Sequence, residues 1–188
     1  MTTGHDHDVV ELLLHQHTEI KELIAQVEGA TGAEKRPPFE DLVRLLAIHE
    51  AAEEEVVHPT SRRAHVSDSV VDSRLEEEEE AKHVLAELYD LGVQHPDFDA
   101  KFHAFAEAVI EHSQLEEKEE FGQLLQETTK EERAGLATAV KVAEAVAPTR
   151  PHPGAGESAL ANLAAGPPLA LFDRVRDAVR DWRHKTSS

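Results

Sequence analysis

Apolar residues recur at helical spacing in four successive segments before residue 125, and no segment alternates at the period of a strand. The first runs over about residues 6–28, puts Val9, Leu13, Ile20, Ile24 and Val27 on one stripe, and breaks at GATGAEKRPP. The second starts near Phe39 and carries Leu42, Leu45, Leu46, Ala52 and Val56 inward until Pro59, before the polar stretch SRRAHVSDS. The third, about Val70 to Leu91, carries Val71, Leu75, Ala81, Leu85 and Leu88 and stops at Gly92. The fourth, about Phe98 to Leu125, carries Phe102, Phe105, Val109 and Leu115. Segments of this length make helices of about 30 Å. With short connections they predict an all-α, up-down-up-down four-helix bundle over residues 1–128.

Residues 129–188 read as a helical extension. Residues 130–147 form an Ala-rich fifth helix, residues 148–157 a Pro/Gly linker, and residues 167–183 an amphipathic helix with Phe172, Val175, Val179 and Trp182 on one face. That last helix is expected to dock on the bundle, on a second copy of the chain or on a partner.

The chain carries 19 basic and 38 acidic side chains in 188 residues, a net charge of −19. This argues against nucleic acid or an anionic membrane as partner and makes cations the natural counterpart. The lack of cysteine removes thiolate sites and disulfides. No run reaches the roughly 18 apolar residues of a membrane span. MTTGHDHDVV has neither the basic nor the apolar region of a secretion signal, so a cytoplasmic location is expected.

Histidine is over-represented, with 13 copies, and its placement on the stripes is informative. At about 100° per residue, His17 falls within the first stripe, whereas His15 points away. In AIHEAAEEEVVHP, His49 and Glu53 flank the line through Leu42, Leu46 and Val56. The fourth segment repeats the device: EHSQLEEKEEF puts His112 and Glu116 in line with Phe105 and Val109. On the third, His83 should face solvent, while Glu78, seven residues before Leu85, lies nearest the centre of the stripe, with Glu77 and Glu79 as its competitors. Counted from the helix ends, His17, His49, Glu78 and His112 lie at one depth. Glu119 is a further candidate, and His58 reads as a helix-end residue, with a supporting place beside the ligands as the alternative.

Three imidazoles and three carboxylates, His17, His49, Glu53, Glu78, His112 and Glu116, are thus expected to meet in mid-bundle. Burying carboxylates without compensation costs several kcal/mol each. Only Arg74 offers an inward cation nearby, so a pair of metal ions fits better. A mixed nitrogen and oxygen set without thiolate suits iron, manganese or zinc, and carboxylate richness favours iron.

The lone His17 in HQHTEI, HEAAE at residues 49–53 and HSQLE at residues 112–116 together resemble the hemerythrin-like, or HHE cation-binding, family of bacterial type, over about residues 8–125. The resemblance implies a non-haem di-iron centre with a bridging oxygen species, and oxygen, peroxide or nitric oxide as ligand. It also implies sensing, iron handling or peroxide decomposition as roles. Oxygen-carrying members use HxxxH on the third helix, where this chain has Arg74 and Glu78, and they space the last carboxylate five residues from its histidine rather than four. Reversible oxygen carriage is therefore not expected. No catalytic residue and no substrate pocket can be read from the sequence.

Overall fold

The computed structural model describes residues 8–145. Asp8 opens helix α1 (Val9–Gly29) by accepting the Val10 N–H at 3.0 Å, which satisfies one orphan donor of the first turn. Gly32, at φ 53°, starts a short 3-10 turn that leads into α2 (Arg36–Ala52), whose first turn carries proline. A π-turn (Glu53–Val57) joins α2 without a break to α3 (His58–Arg63). Then come α4 (Asp68–Leu91), ended by Gly92 at φ 81°, and α5 (Phe98–Leu115). A second π-turn (Glu116–Glu120) leads into α6 (Phe121–Glu127), and α7 (Lys130–Glu144) follows, opened by a capping box between Thr129 and Glu132. Strands are absent among the described residues. The predicted all-α bundle is present.

The second rod differs from the sequence reading, because helix continues through Pro59 to Arg63. Proline stops an α-helix by removing one i to i−4 donor and crowding the preceding turn. Here the π-turn has already widened that ladder, so Pro59 sits in the first turn of a new helical segment, where its missing N–H costs little. The linker and amphipathic helix of the C-terminal extension lie outside the described residues.

α1 packs on α2 and α5, and α4 packs on α5. The core falls into two apolar clusters separated by a polar layer. One gathers Ile20, Ile24, Leu42, Leu46, Leu85, Leu88, Phe98, Phe102 and Phe105. The other gathers Val9, Leu13, Ala52, Val56, Phe121 and Leu124, and α7 completes it with Leu136, Ala137, Val140 and Ala143. Along α1, along α2 and from α5 into α6 the apolar run is interrupted at the histidine level and resumes beyond it.

Candidate metal centre

The interruption is a buried layer. His17, His49, Glu53, Glu78 and Glu116 are each at most 3% exposed, and His112 is half-buried. One ligand atom from each of His17, His49, Glu53 and Glu116 lies within 4.8 Å of the others, and the same holds for Glu53, Glu78, His112 and Glu116. All six side chains singled out in the sequence are brought together, in two groups that share Glu53 and Glu116. His83 and His15 are exposed, as their phase requires.

Each imidazole is anchored by one nitrogen and turns the other inward. His17 Nδ1 lies 3.0 Å from Glu117, His49 Nδ1 lies 2.8 Å from Gln16 Oε1, and His112 Nδ1 lies 2.9 Å from Glu77. Their Nε2 atoms approach carboxylate oxygens: His17 and His112 stand 3.4 and 3.3 Å from Glu116, and His49 stands 3.3 Å from Glu53. An acceptor on Nδ1 fixes the proton there and leaves the Nε2 lone pair free, the state a metal-ligating imidazole needs.

The inner atoms lack hydrogen-bond partners of good geometry. Both oxygens of Glu53, both of Glu116, the second oxygen of Glu78 and His17 Nε2 are buried in this condition. Buried polar atoms are ordinarily paired, so this many at one point need an explanation. Bound metal would supply it, since buried carboxylates and imidazoles are the donors that a nitrogen and oxygen cation site needs.

In the metal-free protein, protons take up the strain. Burial, reinforced by Glu116 and Glu78, pushes the Glu53 carboxyl well above its usual range. Burial also raises Glu78, partly offset by His58, and pushes Glu50 up to about 8. Glu116 is held below the usual range: against the penalty of burial, the imidazoles of His112 and His17, 3.3 and 3.4 Å away, favour its ionised form. Burial and the neighbouring His17 push His49 down to about 3. His112 rises to about 9: against the penalty of burial, the neighbouring carboxylates of Glu116, Glu78 and Glu77 favour its charged form.

The structure corrects the reading of two other residues. His58 is no helix-end residue: it is 2% exposed, 2.6 Å from Glu78 through Nε2 and 3.1 Å from Glu120 through Nδ1. Against burial, Glu78 and Glu120 push it up to about 11. The inward glutamate beyond Glu116 is the fully buried Glu120, while Glu119 is only half-buried. The π-turns account for His58 and for Phe121: in each, the N–H five residues on bonds back to the glutamate, His58 to Glu53 and Phe121 to Glu116, so those residues stack one wide turn above it. Phasing at 100° per residue misses this shift, which also lays Phe121 against the His17 ring at 5.6 Å. Glu77 is a partner of His112 and of Arg74, 2.9 Å away, and Arg74 stands outside both groups.

A cavity of about 560 Å³ is lined by residues of α1, α2, α4 and α5. Its lining joins apolar side chains such as Ala81, Val84, Phe105 and the exposed Ala104 and Ala108 to charged ones such as Glu80, Glu87 and Lys101, and it includes His49, Glu78 and His112 of the buried layer.

Fold and site together define a helical bundle built around a buried, cation-binding set of imidazoles and carboxylates. The model of the Hemerythrin HHE cation binding domain matches residues 8–124, and the chain belongs to that family. Its fold is similar to the crystal structure of a hemerythrin HHE cation binding domain-containing protein from Mycobacterium kansasii, with a TM-score of 0.65 at 20% identity over 90% of this chain and 98% of that one. Nothing among curated proteins matches. No helix among the described residues is long and apolar enough to cross a membrane.

Proposed function

We propose that the protein holds two non-haem iron ions in mid-bundle and uses them to bind or react with a small oxidant, such as oxygen, peroxide or nitric oxide. The observation that carries this reading is the sharing of Glu53 and Glu116 by both groups, with the inner oxygens of each lacking partners. His17 and His49 would hold one ion, Glu78 and His112 the other, and the shared carboxylates would span the pair. Iron supplies one-electron chemistry and Lewis acidity toward such molecules. The chain orients the imidazoles through Glu117, Gln16 and Glu77. His58 and Glu120 form a buried, proton-bearing pair beside Glu78.

Elemental analysis of untagged protein made with ample iron tests the reading. About two irons per chain, falling to about one in His17→Ala and in His112→Ala, is expected. Zero or one in the parent chain, unchanged in the variants, would leave a polar network in place of a metal centre.

The cavity makes a separate prediction. Ala108→Phe should narrow it without touching the ligands, so iron content stays at the parent value. The bimolecular reaction with peroxide or nitric oxide slows about tenfold, equivalent to about 1.4 kcal/mol of added barrier. Stopped-flow traces with unchanged rates would show that the small molecule enters elsewhere.

A further inference from the structure

α7 lies beyond the part of the chain that matches the family model. Its apolar face closes the second core cluster, and its last residue, Glu144, reaches Gln16 on α1. Gln16 is 7% exposed and spans two partners: its Nε2 donates to Glu144 Oε1, and its Oε1 lies 2.8 Å from His49 Nδ1. His17 and His112 meet a carboxylate directly at Nδ1. At His49 the carboxylate stands one amide away, on the fifth helix.

The polarity of this chain is determined from its outer end. A carboxylate accepts and cannot donate, so Gln16 must turn its NH₂ toward Glu144 and therefore its carbonyl toward His49. The carbonyl in turn requires a proton on Nδ1, and Nε2 keeps the lone pair that faces Glu53 at 3.3 Å. We infer that Glu144 is a positioning residue for the metal centre: acting through Gln16, it fixes the His49 tautomer and so ties the His17/His49 half of the site to α7. This rests on the metal reading of the layer. The Glu78/His112 half, anchored by Glu77, is independent of it.

The test uses the full chain with nitrogen-15-labelled histidine, metal-free, with the His49 signals identified by their loss in His49→Ala. The parent chain and Glu144→Gln, which keeps an accepting oxygen, are expected to show Nδ1–H at His49. Glu144→Lys reverses the polarity: the ammonium takes the Gln16 carbonyl, the NH₂ faces His49, and the proton moves to Nε2. A cation at a helix C-terminus suits the helix dipole, so α7 should persist in this variant. Val140→Ala, at a fully buried position of α7, loosens packing without touching the relay. It should lower the melting temperature and leave the tautomer unchanged.

With ferrous iron alone under anaerobic conditions, Glu144→Lys should weaken one of two ions by about ten- to a hundredfold and spare the other, while Glu144→Gln loads like the parent. An unchanged tautomer and loading in Glu144→Lys overturns the relay. A tautomer change in Val140→Ala equal to that in Glu144→Lys also overturns it, since packing alone would then suffice. If the tautomer follows residue 144 as expected but the parent chain takes up no iron, the relay stands and the metal reading falls.

Discussion

Glu53→Leu should give a metal-free chain that resists heat better than the parent and retains neither metal ion. Glu53 is completely buried, neither of its oxygens has a hydrogen-bond partner, and burial beside Glu116 and Glu78 pushes its carboxyl well above the usual range. A leucine of similar volume removes that penalty. Replacing buried ionic groups by apolar ones of like size stabilises by about 1–4 kcal/mol where the geometry allows, and for a domain of this size that is a rise of several degrees in melting temperature. The loss of both ions follows from geometry, because Glu53 stands in both ligand groups whereas His17 and His112 stand in one each. Differential scanning calorimetry after chelation and elemental analysis after loading provide the two readouts. A variant that keeps one ion would show that Glu53 serves one metal only. A lower metal-free melting temperature would show that its carboxylate is stabilised in a way the pairing does not reveal. Stability and function are opposed at this position, as expected where a fold holds charge for a ligand.

The six inward residues were legible because each lies on a helix whose apolar stripe fixes its own phase, and because equal distance from the helix ends fixes depth. Glu78 could be chosen from five consecutive glutamates on phase alone. His58, Glu120 and the stacking of Phe121 on His17 escaped, since all three lie within or just after a π-turn that adds a residue to the turn. The signal available in hindsight is the run of charged residues after each HxxxE, which a regular helix would place partly inward. Gln16 and Glu144 were beyond reach for a different reason: their roles depend on α7 packing against α1, a pairing that no periodicity encodes. The cavity likewise depends on how α1, α2, α4 and α5 pack together, which no single helix's periodicity encodes.

The stabilisation conferred by metal should grow as pH rises from about 6 to 9. Without metal, the fold prefers protonated Glu53, Glu78 and Glu50, the last pushed up to about 8. It also prefers charged His112 and His58, pushed up to about 9 and about 11. A raised group contributes stability in full below its unfolded value and loses it as pH climbs through the folded one, so the metal-free chain weakens across this window. His49, pushed down to about 3, behaves oppositely: its neutral form favours the fold, and its contribution falls away only on the acid side, below the ordinary imidazole range. Metal binding requires Glu53, Glu78 and His112 to be deprotonated, so ions displace protons and bind more tightly as protons become scarce. Each proton displaced adds about 1.4 kcal/mol per pH unit to the metal's contribution. The gap in melting temperature between loaded and chelated protein should therefore widen steadily from acid to alkaline pH, and loading at neutral pH should acidify a weakly buffered solution. A gap that narrows, or loading without proton release, would mean that the layer is already ionised in the metal-free chain. Its carboxylates would then have to be neutralised by cations such as Arg74 rather than by protons.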